Sequence, residues 1–289
     1  MTLKNRLMTL VRAVHAFMSP ARRFMAIVAT GLFVCVLIVG NGQRPLQDSE
    51  PTRQPGGAIA TSPPEPTPLM SEIPARQVSA NHAWPGEKLI ALTFDDGPTA
   101  KGTDRILRVL KKNNVRATFF VIGRHVDAYP EVVKRTYGAG MLIGAHTHNH
   151  KVLTKLTPYE MFGEVNHCVK AVRDACGYKP TLLRPPGGAI NDTVLRSLSM
   201  PMILWSVDTR DWITRNSKDI YRHLIRDARD GAIVLMHDTV PATARALEKA
   251  IPKLKQMGYR FVTVDELYMT RSTPLVAGAV HYSCPPDRS

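Results

Sequence analysis

From Lys88 onward the chain alternates short runs rich in β-branched and aromatic residues with stretches of helical period. Short apolar runs bounded by turns favour buried strands, and the amphipathic stretches between them favour helices. Repeated alternation of this kind predicts a mostly parallel sheet, either open and doubly wound or closed into a barrel. The seven strand candidates are KLIALTF, ATFFVIG, MLIGA, TLLR, MILWSV, AIVLM and RFVTV.

The polar residues that follow these strands distinguish the two architectures. In a closed barrel the functional residues gather at the carboxyl ends of several strands, whereas in an open sheet they concentrate at one switch point. Here they follow five different strands, which favours an α/β fold of the (β/α)7 barrel type. They are Asp95 and Asp96 after the first strand, His146 to His150 after the third, Arg184 after the fourth, Asp208 and Asp211 after the fifth, and His237 and Asp238 after the sixth.

Residues 1–40 have the pattern of a membrane-targeting element. The run Phe24–Gly40 contains no charge, and five basic residues precede it. The run reaches the lower end of the roughly 17–25 residues that span a bilayer and exceeds the ~7–15 residues of a usual cleavable signal core. The basic flank predicts a cytoplasmic start and an extracytoplasmic remainder. We therefore expect a signal anchor rather than a removed signal peptide, and a protein that is anchored to the cytoplasmic membrane or, if cleaved, secreted.

Residues 41–86 differ from the rest of the chain in composition. They are rich in Pro, Gly, Ser and Thr and poor in large apolar residues, which predicts a disordered or extended linker. The folded domain is then expected to span residues 87–272, with residues 273–289 as a C-terminal tail. An export context permits a disulfide that involves Cys284, but the spacing of the four cysteines leaves the thiols unassigned.

The chain is strongly basic, with 38 Lys and Arg against 24 Asp and Glu and a formal net charge of +14. Such a surface attracts polyanions of any kind, from nucleic acid to acidic cell-wall polymers and anionic lipid heads. The sequence contains no basic stripe interleaved with aromatic residues and no nucleic-acid motif. We therefore expect a solvated basic surface and no nucleic-acid partner.

Three histidines alternate with other residues in the stretch GAHTHNH, residues 144–150. On a strand His146, His148 and His150 would share one face, whereas on a helical turn only His146 and His150 would. The strand MLIGA ends near Ala145, so the following residues turn and His148 separates from the other two. The pair His146 and His150 is therefore the better candidate for a metal site.

Two adjacent aspartates, Asp95 and Asp96, end the first strand in the stretch TFDDGP. Asp-Gly is common in turns, so the pair alone indicates an ordinary loop. One aspartate together with two histidines, however, makes a facial triad with open positions for a metal ion. The other carboxylate could then act on the water that the metal carries, since zinc can lower the pKa of that water to ~7.

Five motifs occur in the order TFDDGP, HTHNH, RPPGG, DTRDW and LMH. With these five motifs the chain resembles the polysaccharide deacetylases of carbohydrate esterase family 4, which share the NodB homology domain. The resemblance covers about residues 88–268, and the stretches ATFFVIG and GAIVLMHD are also typical of the family. Each motif is modest alone, whereas five in order are specific. The resemblance implies a distorted (β/α) barrel that hydrolyses N- or O-acetyl groups on a sugar polymer.

The resemblance also implies a metal site and a base. Asp96, His146 and His150 would hold one divalent metal ion, Zn2+ in preference to Co2+, Ni2+ or Mn2+. Asp95 would be the general base that deprotonates the water. Arg184, from RPPGG, would orient Asp95 and keep it ionised by charge pairing.

The other family positions imply an acid and an acetyl pocket. His237, from LMH, would protonate the departing amine, and Asp211, from DTRDW, would favour the protonated imidazole. Leu235 and Trp212 would shape the pocket for the acetyl methyl group. The oxyanion would be held by the metal and by the backbone N–H of Gly187. Many family members carry RPPYG, so a ring that lines the sugar groove is replaced by Gly187, while the backbone donor remains.

Other polar residues have simpler explanations. Asp208 is expected only to cap the turn that presents Asp211, and Asp238 to serve as a helix N-cap. The remaining histidines considered have no evident partners in the sequence and are expected on the surface. These are His125, His167 and His223.

Three functions fit these observations to different degrees. The leading hypothesis is a metal-dependent deacetylase of an extracytoplasmic glycan. Peptidoglycan N-acetylglucosamine is its first expected substrate, and chitin oligomers, xylan or an exopolysaccharide stay open. A catalytically silent glycan-binding module is disfavoured because Asp95 and His237 are both present. An amidohydrolase of small cyclic amides on the same scaffold is disfavoured by the export signal.

Overall fold

The structure, a computed structural model, describes residues 87–286 of the 289-residue chain. The targeting element predicted for residues 1–40 and the linker predicted for residues 41–86 lie outside the described part. No described helix combines the length and the apolar character that a bilayer crossing requires.

The described residues form strands and helices in alternation. The strands are β1 (Lys88–Asp95), β2 (Thr118–Val121), β3 (Leu142–Ala145), β4 (Met202–Ile203), β5 (Val207–Asp208), β6 (Ala232–His237), β7 (Tyr259–Phe261) and β8 (Val280–His281). The α-helices are α1 (Gly102–Lys112), α2 (Gly123–Ala128), α3 (Pro130–Gly138), α4 (Pro158–Cys176), α5 (Asp192–Ser197), α6 (Asp211–Thr214), α7 (Ser217–Asp227), α8 (Pro241–Gln256) and α9 (Val264–Thr270).

Strand β1 lies at the centre of the sheet. Strand β6 runs parallel to it along one edge, from Ile90 to Asp95. Strands β7 and β2 divide the other edge, with β7 beside the first half of β1 and β2 beside the second half. Every residue of β1 after Lys88 is buried, as expected for a parallel strand that is covered on both faces. Because β2 and β7 share one edge of β1, the strands do not form a regular barrel.

The run MILWSV, predicted as one strand, is split into β4 and β5. Met202 in β4 pairs with Leu183, and Leu183 also pairs with Ala145 at the end of β3. Strand β5 pairs in parallel with β6. These pairings continue the sheet from β3 through Leu183 and the split strand to β6, so the described domain has the barrel-like form that the sequence predicts.

The predicted strand TLLR is reduced to the single bridging residue Leu183. Pro180 precedes this segment, and Pro185 and Pro186 follow it. Because proline has no backbone N–H to donate, a β-ladder cannot extend through these positions. The segment therefore enters the sheet at Leu183, which bridges to Ala145 on one side and to Met202 on the other.

Part of the segment set apart as a tail, residues 273–289, belongs to the folded domain. Strand β8 pairs in parallel with β4, and Ser283 forms an antiparallel bridge with Ala232 at the start of β6. Cys284 is only 3% exposed. The domain therefore continues beyond residue 272, because these residues cover the ends of two strands.

The three cysteines of the described part form no disulfide with one another. Cys168, Cys176 and Cys284 are all buried and unbridged. The thiol of Cys168 donates to the carbonyl of Val121 at 3.2 Å, and burial raises its pKa to about 12. These residues serve as packing groups rather than as a disulfide.

Candidate metal and catalytic site

The carboxyl ends of the parallel strands bring three potential metal ligands together. Asp96 directly follows β1, and His146 directly follows β3. The Nε2 atoms of His146 and His150 lie 3.5 Å and 3.2 Å from Oδ1 of Asp96. One ligand atom from each of the three side chains lies within 4.8 Å of the others.

The state of each side chain suits a divalent metal ion. Nδ1 of His146 lies 2.6 Å from the carbonyl oxygen of Arg184, which makes Nδ1 the donor and directs the lone pair of Nε2 toward Asp96. Oδ1 of Asp96 is buried and, among the described residues, accepts no hydrogen bond of ordinary geometry. Two imidazoles and one carboxylate leave further coordination positions free. The residues present therefore fit a metal centre of the catalytic type.

Electrostatics keep Asp96 ionised, as a metal ligand must be. Burial alone raises the pKa of this carboxyl, because a charge is costly away from water. The interactions with His146 and His150 outweigh burial and hold the pKa well below its usual range.

His148 lies apart from this group. Its Nδ1 is buried near Gly123 and has no hydrogen-bond partner in the described part of the chain, and its Nε2 is 3.7 Å from Asp127. Its ring also contacts the ring of His167, with 5.8 Å between centroids. His148 and His167 therefore pack against each other at the side of the site, and of the three histidines in residues 146–150 the structure places His146 and His150 against the Asp96 carboxylate.

The two loops that carry the candidate metal ligands, one at Asp96 and one at residues 146–150, are called the ligand loops. They adopt backbone conformations that L-residues seldom take. Asp96, Thr147 and His150 have φ values of 74°, 60° and 59°. Such conformations cost on the order of 1–3 kcal/mol each and persist only when their surroundings hold them. Contacts from neighbouring elements must therefore stabilise both loops.

The start of α2 supplies one set of these contacts. The N–H of Gly123 donates to the carbonyl of Thr147 at 3.0 Å, and the N–H of Arg124 donates to the carbonyl of His148 at 2.9 Å. Nδ1 of His125 lies 2.8 Å from the carbonyl oxygen of Asp96. The prediction of a surface His125 without a partner is therefore wrong. The contact joins residues 29 positions apart, which sequence spacing does not reveal.

Glu164 on α4 supplies the second set. One carboxylate oxygen accepts the backbone N–H groups of His148 and Asn149 at 3.1 Å and 2.7 Å, and the other accepts the side-chain amide of Asn149 at 2.9 Å. Glu164 is only 6% exposed. Sequence reasoning did not select it, although a glutamate beside Met161, Val165 and Cys168 on the apolar face of an amphipathic helix is a usable signal.

Asp95 and Arg184 form a buried ion pair beside the three candidate metal ligands. Nη1 of Arg184 donates to Oδ1 of Asp95 at 2.8 Å and to the hydroxyl of Thr93 at 2.6 Å. Nε and Nη2 donate to the carbonyls of Ile203 and Leu204. Oδ2 of Asp95 lies 3.9 Å from Nε2 of His146, which directs this oxygen toward the candidate metal position. A fully buried guanidinium thus holds one oxygen of Asp95 and leaves the other to the site.

His237 is paired with Asp211 on the neighbouring side of the site. Nδ1 of His237 lies 2.8 Å from Oδ1 of Asp211, and the backbone N–H of His237 donates to Oδ2 at 2.7 Å. Thr243 also donates to Oδ2, and Asp211 is fully buried. Asp95 and His237 are direct cross-strand partners in β1 and β6. The Nε2 atom of His237 remains available as a proton donor.

The environment favours the protonated form of His237. Burial lowers its pKa, but the hydrogen bond and negative charge of Asp211, with the charges of Asp95 and Asp96, raise the pKa to about 9. The imidazole is therefore protonated at neutral pH, as a general acid requires.

Asp208 and Asp238 have structural roles of different kinds. Asp208 accepts the backbone N–H of Arg210 at 2.8 Å, which is the turn-capping contact expected of it. Asp238 is not the N-cap of α8, because Val240 occupies that position. It is buried and accepts the hydroxyl of Thr103 at 2.5 Å, and burial raises its pKa to about 7.

Each of the three predicted pocket residues lies within three positions of a site residue along the chain. Trp212 follows Asp211 and is 52% exposed, and Leu235 is buried in β6. Gly187 has a φ of 65°, and a Cβ atom added to it would meet no atom within 4 Å. The structure therefore leaves open space where a larger side chain at position 187 would stand.

Two histidines and one carboxylate at the carboxyl ends of the strands of a barrel-like α/β domain, beside an ion-paired aspartate and a His–Asp pair, are an arrangement typical of metal-dependent hydrolases. Residues 83–201 match the family model described as polysaccharide deacetylase. The chain belongs to this family.

Several relatives support the assignment. The chain is 48% identical over 181 residues to the peptidoglycan-N-acetylglucosamine deacetylase PgdA of Listeria monocytogenes, a match that covers 63% of this chain and 39% of that protein. The solved structure of the peptidoglycan deacetylase PdaC from Bacillus subtilis shares 40% identity with a TM-score of 0.64 and covers 66% of this chain and 94% of that one. A family 4 acetyl xylan esterase from Clostridium thermocellum, solved in complex with a cobalt ion, shares 32% identity with a TM-score of 0.66. The match covers 68% of this chain and 100% of that one.

Proposed function

We propose that this protein hydrolyses acetyl groups from an extracytoplasmic glycan, with N-acetyl groups of peptidoglycan as the first substrate. The observation that carries this proposal is the cross-strand pairing of Asp95 with His237 beside the triad around Asp96. A base and an acid then flank one candidate metal position. The names of the relatives support a glycan substrate, and a wall substrate implies an extracytoplasmic location.

Asp96, His146 and His150 would hold one divalent ion, with Zn2+ as the first candidate. A divalent ion at this position would polarise the acetyl carbonyl and make a water molecule more acidic. The surrounding residues serve this centre by fixing the tautomer of His146 and by keeping Asp96 ionised.

Asp95 is the proposed general base. Its Oδ2 faces the candidate metal position and would take the proton of the attacking water. Arg184 holds Oδ1 by a charge-assisted hydrogen bond, which orients the carboxylate. In this geometry Oδ1 is held in place, and Oδ2 is the oxygen that would react with water.

His237 is the proposed general acid. Asp211 accepts a hydrogen bond from Nδ1–H, so Nε2 of the protonated imidazole carries the proton that would pass to the departing amine. The backbone N–H of Gly187 would donate to the oxyanion, and Leu235 and Trp212 would flank the acetyl methyl group. The open space at Gly187 would admit the sugar without a stacking ring.

Acetate release tests the proposal directly. Purified full-length protein is incubated with peptidoglycan, chitin oligomers and acetylxylan, with and without a chelator. We expect release from peptidoglycan that the chelator abolishes and added Zn2+ restores. Absence of acetate from all three polymers would contradict the deacetylase function. Release that is insensitive to the chelator would contradict the metal centre.

The pH dependence of the reaction should report the Asp211 pairing. Asp211→Asn removes the charge that raises the pKa of His237, so the loss of activity at alkaline pH should begin at a lower pH than in wild type. Acetate release is measured across the pH range in both proteins. Asp208→Asn, which affects only a turn, is the matched control and should leave the alkaline limit unchanged. An identical alkaline limit in Asp211→Asn would disprove the pairing role.

Glu164 should control how tightly the ligand loop holds metal. Glu164→Ala leaves the N–H groups of His148 and Asn149 without acceptors, and removal of such supporting contacts typically lowers metal affinity by about 10–100-fold. Competition with a chromophoric chelator gives the Zn2+ affinity. Asp174→Asn, an exposed change on the same helix, is the control. Equal affinities in wild type and Glu164→Ala would exclude this role.

A further inference from the structure

A basic cleft lies between α1 and α8 on the outside of the barrel. Its volume is about 630 Å³. On α1 it is lined by Arg105, Arg108 and Lys112, which fall on one face at helical spacing, and on α8 by Arg245 and the acidic Glu248. Four cations therefore line this cleft together with one carboxylate.

A second cleft lies on the other side of α8, against α7. Its volume is also about 630 Å³, and it shares Arg245 and Glu248 with the first. It adds Lys218, Arg222 and Lys249 to the lining. The two clefts thus form one basic band across three helices, defined by Arg105, Arg108, Lys112, Lys218, Arg222, Arg245 and Lys249.

Most of the charges in the basic band have no ion-pair partner among the described residues. Within residues 87–286, Arg222 pairs with Asp219, whereas Arg105, Arg108 and Arg245 form no ion pair. The nearby carboxylate of Asp104 is occupied by Arg135. Exposed like charges repel one another and raise the local concentration of anions. The band is therefore suited to an anionic partner.

The shape of the band selects the kind of partner. Two clefts that flank one helix fit a linear chain better than the flat surface of a bilayer. Tyr221 is the aromatic residue in the two linings, and it is half-buried, which offers little for the base stacking that single-stranded nucleic acid uses. Carboxylate or phosphate groups along a flexible chain match a row of guanidinium groups.

The position of the band connects it to the candidate site. Helix α1 begins a few residues after Asp96, and α8 begins a few residues after His237. A hydrogen bond between Thr103, in the first turn of α1, and Asp238, just before α8, joins the starts of the two helices. The first cleft therefore begins beside the loops of the site and continues along the outside of the barrel.

We propose that the basic band binds a glycan strand that bears carboxylates, and that it holds the polymer while its acetyl groups reach the site. The choice of a glycan rests on the proposed function, whereas the anionic character rests on the band itself. Binding depends on charge, so it weakens as salt screens the guanidinium groups.

The test compares two variants with the same change in net charge. The band variant carries Arg105→Glu, Arg108→Glu and Arg245→Glu. The control variant carries Lys134→Glu, Lys155→Glu and Lys179→Glu, three exposed sites outside the band. Binding of the full-length proteins to alginate, a linear polyuronate, is measured at low and high salt, with dextran as the neutral glycan. Thermal unfolding of each protein establishes that it is folded.

We expect wild type and the control variant to bind alginate in a salt-dependent manner, and the band variant to bind about tenfold more weakly or worse. Equal weakening in both variants would mean that net charge alone acts, and would overturn the proposal. Failure of wild type to bind alginate would also overturn it, as would binding only to polyphosphate or to phosphatidylglycerol vesicles.

A separate measurement distinguishes this proposal from the proposed function. Acetate release from short, neutral chitin oligomers should be equal in wild type and the band variant, because the band does not contain a residue of the site. Absence of release in wild type from peptidoglycan, chitin oligomers and acetylxylan alike would contradict the deacetylase function while leaving the alginate result intact. Loss of release in a folded band variant alone would contradict a role confined to polymer binding.

Discussion

Asp95→Asn should reduce acetate release by about 100- to 10,000-fold, the range typical for the loss of a general base. The amide has nearly the shape of the carboxylate and can still accept the hydrogen bond from Arg184, but it cannot take a proton from water. The triad residues are unchanged, so Zn2+ affinity should remain close to that of wild type. Turnover and metal affinity are both measured.

Two further variants serve as the negative and the positive control for this result. His150→Ala removes one of the three ligands and should lose both metal and activity. Asp208→Asn, an aspartate that caps a turn after a different strand, should retain both. If Asp95→Asn retains full activity, another group must be the base. If it loses metal together with activity, Asp95 is a ligand rather than a base.

Arg184→Met should produce the largest loss of stability, about 3–5 kcal/mol, because removal of one partner leaves a buried charge unpaired. Arg184 is completely buried, and its guanidinium satisfies Asp95, Thr93 and two backbone carbonyls. Methionine can fill part of the space but offers no donor. Urea unfolding of the full-length protein gives the change in free energy.

The double variant Asp95→Asn/Arg184→Met separates charge from packing. A neutral amide is less costly to bury than a carboxylate, so the double variant should be more stable than Arg184→Met alone. Arg196→Met, an exposed arginine, should change stability by no more than about 0.5 kcal/mol. Strictly additive effects of the two core substitutions would show that the ion pair contributes no coupling.

The fold could be predicted where strands are bounded by local signals. β1, β2, β3 and β6 fall within or close to continuous apolar runs in the sequence. The predictions failed where pairing depends on distant partners. MILWSV is long enough for one strand, but its two ends pair with different neighbours, Leu183 and β6. Likewise β8 depends on contact with β4, about 80 residues earlier in the chain, for its existence.

The candidate site likewise contains some residues that local sequence predicts and others that depend on distant contacts. The spacing of His146 and His150 around a turn, and the adjacent Asp95 and Asp96, are local properties that a single stretch of sequence reveals. Glu164 reaches Asn149 from a separate helix, and its significance depends on where that helix packs. Burial of a carboxylate among apolar neighbours was the remaining clue.

By itself the sequence determined the parallel α/β class and the residue types that surround a candidate metal position, because both follow from periodicity and short spacings. Only the tertiary structure decided how the ring continues through a split strand, which contacts hold the left-handed ligand loops, and that Arg105, Arg108 and Arg245 line one cleft. The physical reason is that hydrogen bonds, burial and electrostatic fields depend on distance in space. Residues far apart in the chain have no defined distance until the helices and strands have packed.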